Sequence, residues 1–330
     1  MIGEDRIIEL FTEIIGQPRQ PFLMIGDDVA TLDSQPFKKV VITSDMLVGS
    51  TDVPNQMRLW QASRKAMVMS ASDLSAKGVR PVGALVSIAI PRTYSEVDVR
   101  ELANGIRIAK EEIGLEFMGG DTNESEDLIL NVMMVGFSDN IVPRSGAQPG
   151  DLVYVTGEFG LTGAGLKILL EGFPAEPSFK RIAIDSVLLP RARVNAGVAL
   201  AKNGLMSSST DSSDGLAISL YHIAESSNVG IELSNLPITA HLELFASNCS
   251  LDPTELAIHA GEEYEIVFTV RPGKMSSTET LMKEHGVTLF LIGSITKGRP
   301  EVFYNGKRVE KRGWIHFLRS SHTVISESKV

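Results

Sequence analysis

Met118-Gly119-Gly120-Asp121-Thr122 stands between two apolar runs, Gly114-Leu115-Glu116-Phe117 before it and residues 128–137 after it. The flanking runs predict strands, short before the motif and longer after it. Two glycines let the backbone turn sharply and approach a ligand with no Cβ in the way, and a carboxylate sits at the mouth of the turn. Alone, a Gly-Gly-Asp turn is equally an ordinary surface loop. Its weight comes from recurrence. A carboxylate at the end of an apolar run or the start of a helix returns at Gly26-Asp27-Asp28, Thr43-Ser44-Asp45, Ser72-Asp73-Leu74 and Asp211-Ser212-Ser213-Asp214-Gly215.

Working outward from that turn, residues 95–113 predict a helix closed by Gly114, and residues 84–90 a strand stopped by Pro91. Residues 55–77 predict a long helix ended by Gly78, crowded with small residues from Ser70 to Ala76. Residues 39–43 predict a buried strand that ends at Ser44-Asp45, and residues 4–15 an amphipathic helix. After residue 139 the texture changes. Pro143, Gly146, Pro149 and Gly150 mark a linker. Beyond it, strands are expected at 152–156, 265–270 and 288–292. Helices are expected at 162–170, 191–202, 276–285 and from Asp214 to about residue 227, bounds good to roughly two to four residues. Residues 172–178 read as a Pro-containing loop. Strands alternating with helices in both halves predict two α/β domains, 1–139 and 140–330.

The totals narrow the function. With 330 residues, 43% hydrophobic and 22% charged, the chain reads as an ordinary globular protein of about two domains. A net charge of −10 argues against nucleic acid as the main partner, since phosphate contacts need clustered Lys and Arg. No stretch approaches the roughly 20 apolar residues of a membrane span. The acidic start, Glu4-Asp5, lacks the basic, apolar pattern of a signal peptide. One cysteine, Cys249, excludes an intrachain disulfide and a thiolate zinc cage, so a cytoplasmic setting is expected.

No Gly-x-x-x-x-Gly-Lys-Ser/Thr loop, Gly-x-Gly-x-x-Gly turn or His-Glu-x-x-His motif occurs, and the six histidines show no metal-ligand spacing. His222 reads as a packing residue within a helix. What remains is aspartate: Asp28, Asp45, Asp73, Asp121, Asp211 and Asp214. Two carboxylates about 4 Å apart repel by about 4 kcal/mol at an effective dielectric of 20. A gathering of six therefore needs counter-charge, and oxygen-only ligands favour Mg²⁺ or Mn²⁺. Such ions hold polyphosphates during phosphoryl transfer. The other reading stays open: each Asp serves equally as a turn residue or helix cap, Asp73 and Asp214 especially. Spacing alone does not show that the six converge.

Taken in order, these motifs resemble the thiamine-monophosphate kinase family. They are Gly26-Asp27-Asp28-Val29-Ala30, Thr43-Ser44-Asp45-Met46-Leu47-Val48, Lys65-Ala66 through Ser72-Asp73-Leu74-Ser75-Ala76-Lys77-Gly78, Gly119-Gly120-Asp121-Thr122, Arg144-Ser145-Gly146-Ala147-Gln148-Pro149-Gly150-Asp151, Asp211-Ser212-Ser213-Asp214-Gly215-Leu216 and Gly261-Glu262-Glu263-Tyr264-Glu265. That family belongs to the superfamily of aminoimidazole ribonucleotide synthetase and selenophosphate synthetase. The resemblance implies an α/β (α+β) fold of two domains, the N-terminal mixed sheet pairing across a homodimer. It implies transfer of the ATP γ-phosphate onto thiamine monophosphate, with several Mg²⁺ ions and ATP as co-substrate. By motif, Asp28, Thr43, Ser44, Asp45, Asp73, Asp121, Asp211 and Asp214 would hold metal. Asp28, Asp45, Asp121 and Asp214 would be central to catalysis. Gly120, Asp121, Arg144 and Ser213 would contact ATP. Asp52, Glu262 and Trp314 would contact the substrate.

Two departures bear on substrate geometry. The family has His where this chain has Asp52, and Gly-Gly-Glu-Asp-Tyr where it has Ala260-Gly261-Glu262-Glu263-Tyr264. Lys77 and Arg80 are candidates to restore positive charge. Selenophosphate synthetase would want an N-terminal Cys or selenocysteine with Lys, and a carbamoyl-dehydratase-like maturation protein a terminal Cys; neither is present. Aminoimidazole ribonucleotide synthetase lacks the matches around Asp211 and Gly261. A nucleotide- or metal-binding regulator without turnover is the rival from another class.

Overall fold

Residues 4–16 and 39–314 are described by the structure, a computed structural model. The Gly26-Asp27-Asp28 motif, and with it the expected ligand Asp28, lies outside them.

The N-terminal half holds α1 (Glu4–Ile15), β1 (Lys39–Val48), α2 (Gly49–Asp52), α3 (Leu59–Ala76), β2 (Pro81–Ile90), α4 (Glu96–Ile113), β3 (Glu116–Glu124) and β4 (Ile129–Ser138). Its sheet runs β1-β4-β2-β3, antiparallel except for the parallel β2–β3 pair. α3 lies on one face of the sheet, with α4 against α3 and α1. Leu47, Val86, Val132 and Leu130 join Ala66, Met67 and Leu74 in the core between them. Ser95 and Asp98 form a reciprocal capping box at the start of α4, and Gly114 closes it at φ 81°.

The C-terminal half holds β5 (Leu152–Val155), α5 (Leu161–Glu171), α6 (Pro177–Leu188), α7 (Val194–Lys202), β6 (Ser208–Asp211), α8 (Leu216–Ser227), β7 (Gly230–Leu233), α9 (Ala240–Asn248), α10 (Pro253–His259), β8 (Ile266–Val270), α11 (Met275–Glu284), β9 (Phe290–Thr296), β10 (Val302–Tyr304) and β11 (Lys307–Arg308). These strands form a mixed sheet in the order β11-β10-β7-β9-β5-β8-β6. Side chains alternate between its faces. Val153, Val155 and Val267 pack with Leu216 and Leu220 of α8, while Tyr154, Ile266 and Phe268 pack with Ala196 and Leu200 of α7. α3 also packs on α7, β6 and β8, so it is the element shared by both halves.

Several expectations need correction. The Gly-Gly-Asp turn is no turn: residues 116–124 form one continuous strand. Ala84 pairs with Phe117 and Leu85 with Gly119, which leaves Met118 as the extra residue of a β-bulge. Gly119 takes φ 115°, and a Cβ on Gly120 would stand 1.7 Å from Val86 O. The two glycines therefore serve the bulge and the close approach of β3 to β2. β1 is longer than expected and is not buried on both sides. It is an edge strand paired with β4 over ten residues, with Val40 56%, Ile42 60% and Met46 54% exposed. Ser44 and Asp45 consequently sit in mid-strand. The residue before α8 is Gly215, not Asp214, at φ 104°. The expected loop at 172–178 runs into α6, whose first turn is capped by Glu176 and opened by Pro177.

Candidate active site

α3 brings the two halves together through a row of small polar side chains. On one side it meets β1. Ser70 Oγ lies 2.8 Å from both Asp45 Oδ2 and Val132 O, and its single proton serves one at a time. Thr43 Oγ1 donates to Asp73 Oδ2 at 2.6 Å. On the other side it meets β6, where Ser72 Oγ donates to Asp211 Oδ2 at 3.0 Å and Ser209 Oγ to Ala76 O. Serine in place of a larger residue is what permits this approach, and each hydroxyl satisfies a polar group that burial would otherwise strand.

The result is an acidic cleft. Burial, then the charge of Asp73, pushes the Asp45 carboxyl up to about 6, with Asp214 adding to the effect. Asp211 is 6% exposed. Burial raises its carboxyl to about 7, reinforced by Asp73, Asp214 and Asp45. Four of the expected carboxylates thus face one another: Asp45, Asp73, Asp211 and Asp214. Among the described residues, no three His, Cys, Asp or Glu side chains stand close enough to hold one metal ion between them. The acids converge without forming a closed cage. Two expected ligands are placed elsewhere. Ser44 Oγ turns to Asn131 Oδ1 on the open face of the sheet. The strand register sets the exposed Asp121 level with Ser87, Asn131 and Met46 on that face, while Gly120 falls level with Val86, Val132 and Asp45.

Cations border the acids. The partly buried Lys77 donates its ammonium to Ser209 O. Burial and then the positive charge of Arg144 pull its pKa down to about 8, against the opposing pull of Asp211 and Asp73. Burial, Arg144 and Lys311 hold His222 down to about 4, so it is neutral near pH 7. Arg144 itself is exposed, on a loop stitched to the rest by Val142 N–H to Lys77 O (3.1 Å) and Ser209 N–H to Pro143 O (2.9 Å). Arg80 takes no part; its guanidinium donates to Asn195 Oδ1.

The remaining wall is a knot of three loops. Glu262 N–H donates to Ser213 O at 2.7 Å, and Trp314 N–H to Asp214 O at 3.1 Å. Ser212 Oγ accepts from Glu265 N at 2.9 Å. Glu262 and Tyr264 hold φ of 67° and 53°, in the left-handed region that non-glycine residues avoid and that clusters at functional sites. Tyr264 is buried, and its hydroxyl is pushed well up by burial and by Glu262, Asp211, Asp45 and Asp52.

Both departures from the family pattern find a place. The Asp52 carboxylate accepts Val48 N–H at 2.7 Å, turned back on the first turn of α2. Glu263 turns to the start of α5, accepting Gly160 N–H at 2.6 Å and Thr162 N–H at 3.3 Å, while burial pushes it up to about 7. Sequence reasoning gave no role to Lys65 or Tyr264. The signal for Lys65 is a pair of adjacent cations, Arg64 and Lys65, both buried within an otherwise small and largely apolar helix.

The chain matches two family models: AIR synthase related protein, N-terminal domain, over residues 26–138, and AIR synthase related protein, C-terminal domain, over residues 148–305. It is 35% identical over 320 residues to the thiamine-monophosphate kinase of Nitrosopumilus maritimus, covering 96% of this chain and 99% of that one. The Pyrococcus abyssi thiamine-monophosphate kinase is 36% identical, over 84% of this chain and 86% of its own. Among solved structures, AaThiL complexed with AMPPCP and TMP superposes with a TM-score of 0.77 at 30% identity, covering 96% of this chain and 97% of that chain. The hydrogenase maturation protein HypE shares the fold at a TM-score of 0.76 and 17% identity.

Proposed function

The chain belongs to the thiamine-monophosphate kinase family, with two AIR synthase-related domains, and from that premise we propose that it transfers the γ-phosphoryl group of ATP directly onto the phosphate of thiamine monophosphate. The observation that carries the reading is the meeting of Asp45, Asp73, Asp211 and Asp214, from both halves of the chain, on the two sides of α3.

Mg²⁺ fits the residues present. The donors are hard oxygens, and two of the carboxyls are raised by burial first and by their mutual repulsion next, the second of which a divalent cation relieves. An open cleft suits this ion, which is usually held by one or two carboxylates together with substrate phosphates rather than by an all-protein cage. Thr43, Asp45, Asp73, Asp211 and Asp214 would hold it. When bound, it would neutralise charge on the phosphates being joined. Asp121 and Ser44 face the open side of the sheet and stand apart from this core; Asp28 remains a candidate ligand from the undescribed segment.

The rest follows from the side chains. The acceptor phosphate is already ionised at neutral pH, so no protein nucleophile is needed. Its oxygen forms a bond to the γ-phosphorus as the bond to the bridging oxygen of ADP breaks. The protein's task is alignment and charge balance between two anions. Arg144 presents a planar donor set to nucleotide oxygens, with Ser213 beside the acids. Glu262 accepts from the aminopyrimidine of thiamine, and Trp314, 40% exposed at the cleft, stacks on the ring. The apolar outer face of the N-terminal sheet, with Val40, Ile42, Met46 and Met133, is the surface on which a second copy of the chain would pack. The N-terminal unit of 1–139 and the C-terminal unit of 140–330 would each then contribute one wall of the cleft.

The test is direct: purified protein, ATP, Mg²⁺ and thiamine monophosphate, with products separated by chromatography. Thiamine diphosphate and ADP in equal amounts are expected. Nucleotide binding without thiamine diphosphate, at Mg²⁺ in excess over ATP, would defeat the reading.

A further inference from the structure

The most enclosed charge at the cleft is a lysine. Lys65, in the middle of α3, is 1% exposed. Its ammonium donates to Asp52 O at 2.8 Å and is ion-paired with Glu262 Oε1. A buried ammonium requires such partners, since a charge without them costs several kcal/mol. Here the partners come from opposite walls: the α2 turn of the N-terminal half and the strained loop that ends at Tyr264.

Each partner is already committed on its far side. Asp52 ties its carboxylate to Val48 N–H, and Glu262 gives its own N–H to Ser213 O. Lys65 therefore closes a chain of contacts from β1 to the 212–215 loop. It also fixes one carboxylate oxygen of Glu262, Oε1. A free glutamate side chain would sample several rotamers and lose entropy on binding; one held by a buried cation is pre-organised.

We propose that Lys65 is the positioning residue of the substrate end of the cleft, orienting Glu262 to accept from the aminopyrimidine of thiamine monophosphate. The assignment rests on the substrate reading given above. Residue 52 enters this chain of contacts through its backbone carbonyl, a strut for Lys65 that does not depend on its side chain.

Kinetics of Lys65→Met, which keeps length and burial, test it. We expect KM for thiamine monophosphate to rise about tenfold to a hundredfold, as for loss of a charge-assisted contact, with KM for ATP and kcat each changed by less than about threefold. Glu262→Gln should show the same substrate-selective rise. Adding Lys65→Met to it should add less than about threefold, because the two act as one unit. Equal rises in both KM values, a fall in kcat alone, or multiplicative effects in the double variant would overturn the assignment. Should Lys65→Met not fold, Glu262→Gln alone decides: a KM for thiamine monophosphate unchanged from wild type removes the reason for Lys65 to hold it. Absence of thiamine diphosphate with the wild-type protein would instead fail the substrate reading itself.

Discussion

Replacing Asp45 by Asn should stabilise the metal-free protein. The Asp45 carboxyl is raised from 3.8 to about 6, by burial first and by Asp73 and Asp214 next. A carboxyl whose folded pKa lies above its unfolded value binds more protons in the folded state. Its contribution to stability is fully present below the unfolded value and is lost as pH rises through the folded one. At neutral pH the ionised group therefore works against folding. A shift of about 2 units corresponds to about 3 kcal/mol, an upper bound that relaxation and water entering the cleft reduce. A net gain of about 1–2 kcal/mol in Asp45→Asn is expected, which for a cooperative unit of about 140 residues is about 3–7 °C in Tm. The amide keeps an oxygen to accept from Ser70, so the local contact survives. Calorimetry in chelator measures the gap between variant and wild type. It should be near zero at about pH 4 and widen toward about pH 7. Excess Mg²⁺ should then close or reverse it, because the wild-type site, with one more carboxylate, gains more from the ion than the variant does. A gap that is flat with pH, or Mg²⁺ shifting both proteins equally, would show that these acids are not forced together and would remove the basis of the site.

Two further outcomes follow from the geometry. Arg193 meets Glu265 with two bonds, Nε to Oε2 at 2.7 Å and Nη2 to Oε1 at 2.5 Å, and Thr156 Oγ1 adds a third at 2.6 Å. Arg193→Met leaves a buried carboxylate without its cation and should cost about 3 kcal/mol in chemical denaturation, most of it recovered by adding Glu265→Gln; no recovery would refute an electrostatic origin. Ile42→Lys places a charge in the middle of the exposed apolar face of the N-terminal sheet, and sedimentation should report half the wild-type mass, with an unchanged mass excluding that face as the contact between copies.

What the sequence shows, and what it hides, divides along physical lines. Helices with caps and punctuation were legible. α4 has Ser95 in front and Gly114 behind, and β8 is a plain apolar run. β6 was not legible, because Ser208-Ser209-Thr210-Asp211 has no apolar residue. It is nevertheless wholly buried, since its hydroxyls pair with Thr269 and Ala76 O instead of with water. α6 was hidden by Pro177, which reads as a breaker and here opens the helix.

The same contrast governs the site. The identities of the acids were readable, since little else could carry chemistry. Their arrangement was not, because it depends on strand register. One residue of shift separates Asp45, on the face toward α3, from Ser44, on the open face. The bulge at Met118 sets which of Gly120 and Asp121 faces α3. A motif written as consecutive letters cannot distinguish neighbours that a strand sends in opposite directions. The residue that joins both walls, Lys65, opens one of the family blocks, but the block says nothing of its partners. Its meaning arises only when Asp52 O and Glu262, over two hundred positions apart in sequence, meet on either side of its ammonium. Aspartates can be enumerated from a sequence, but what orients them and their neighbours has to be found among buried side chains whose partners lie on another domain.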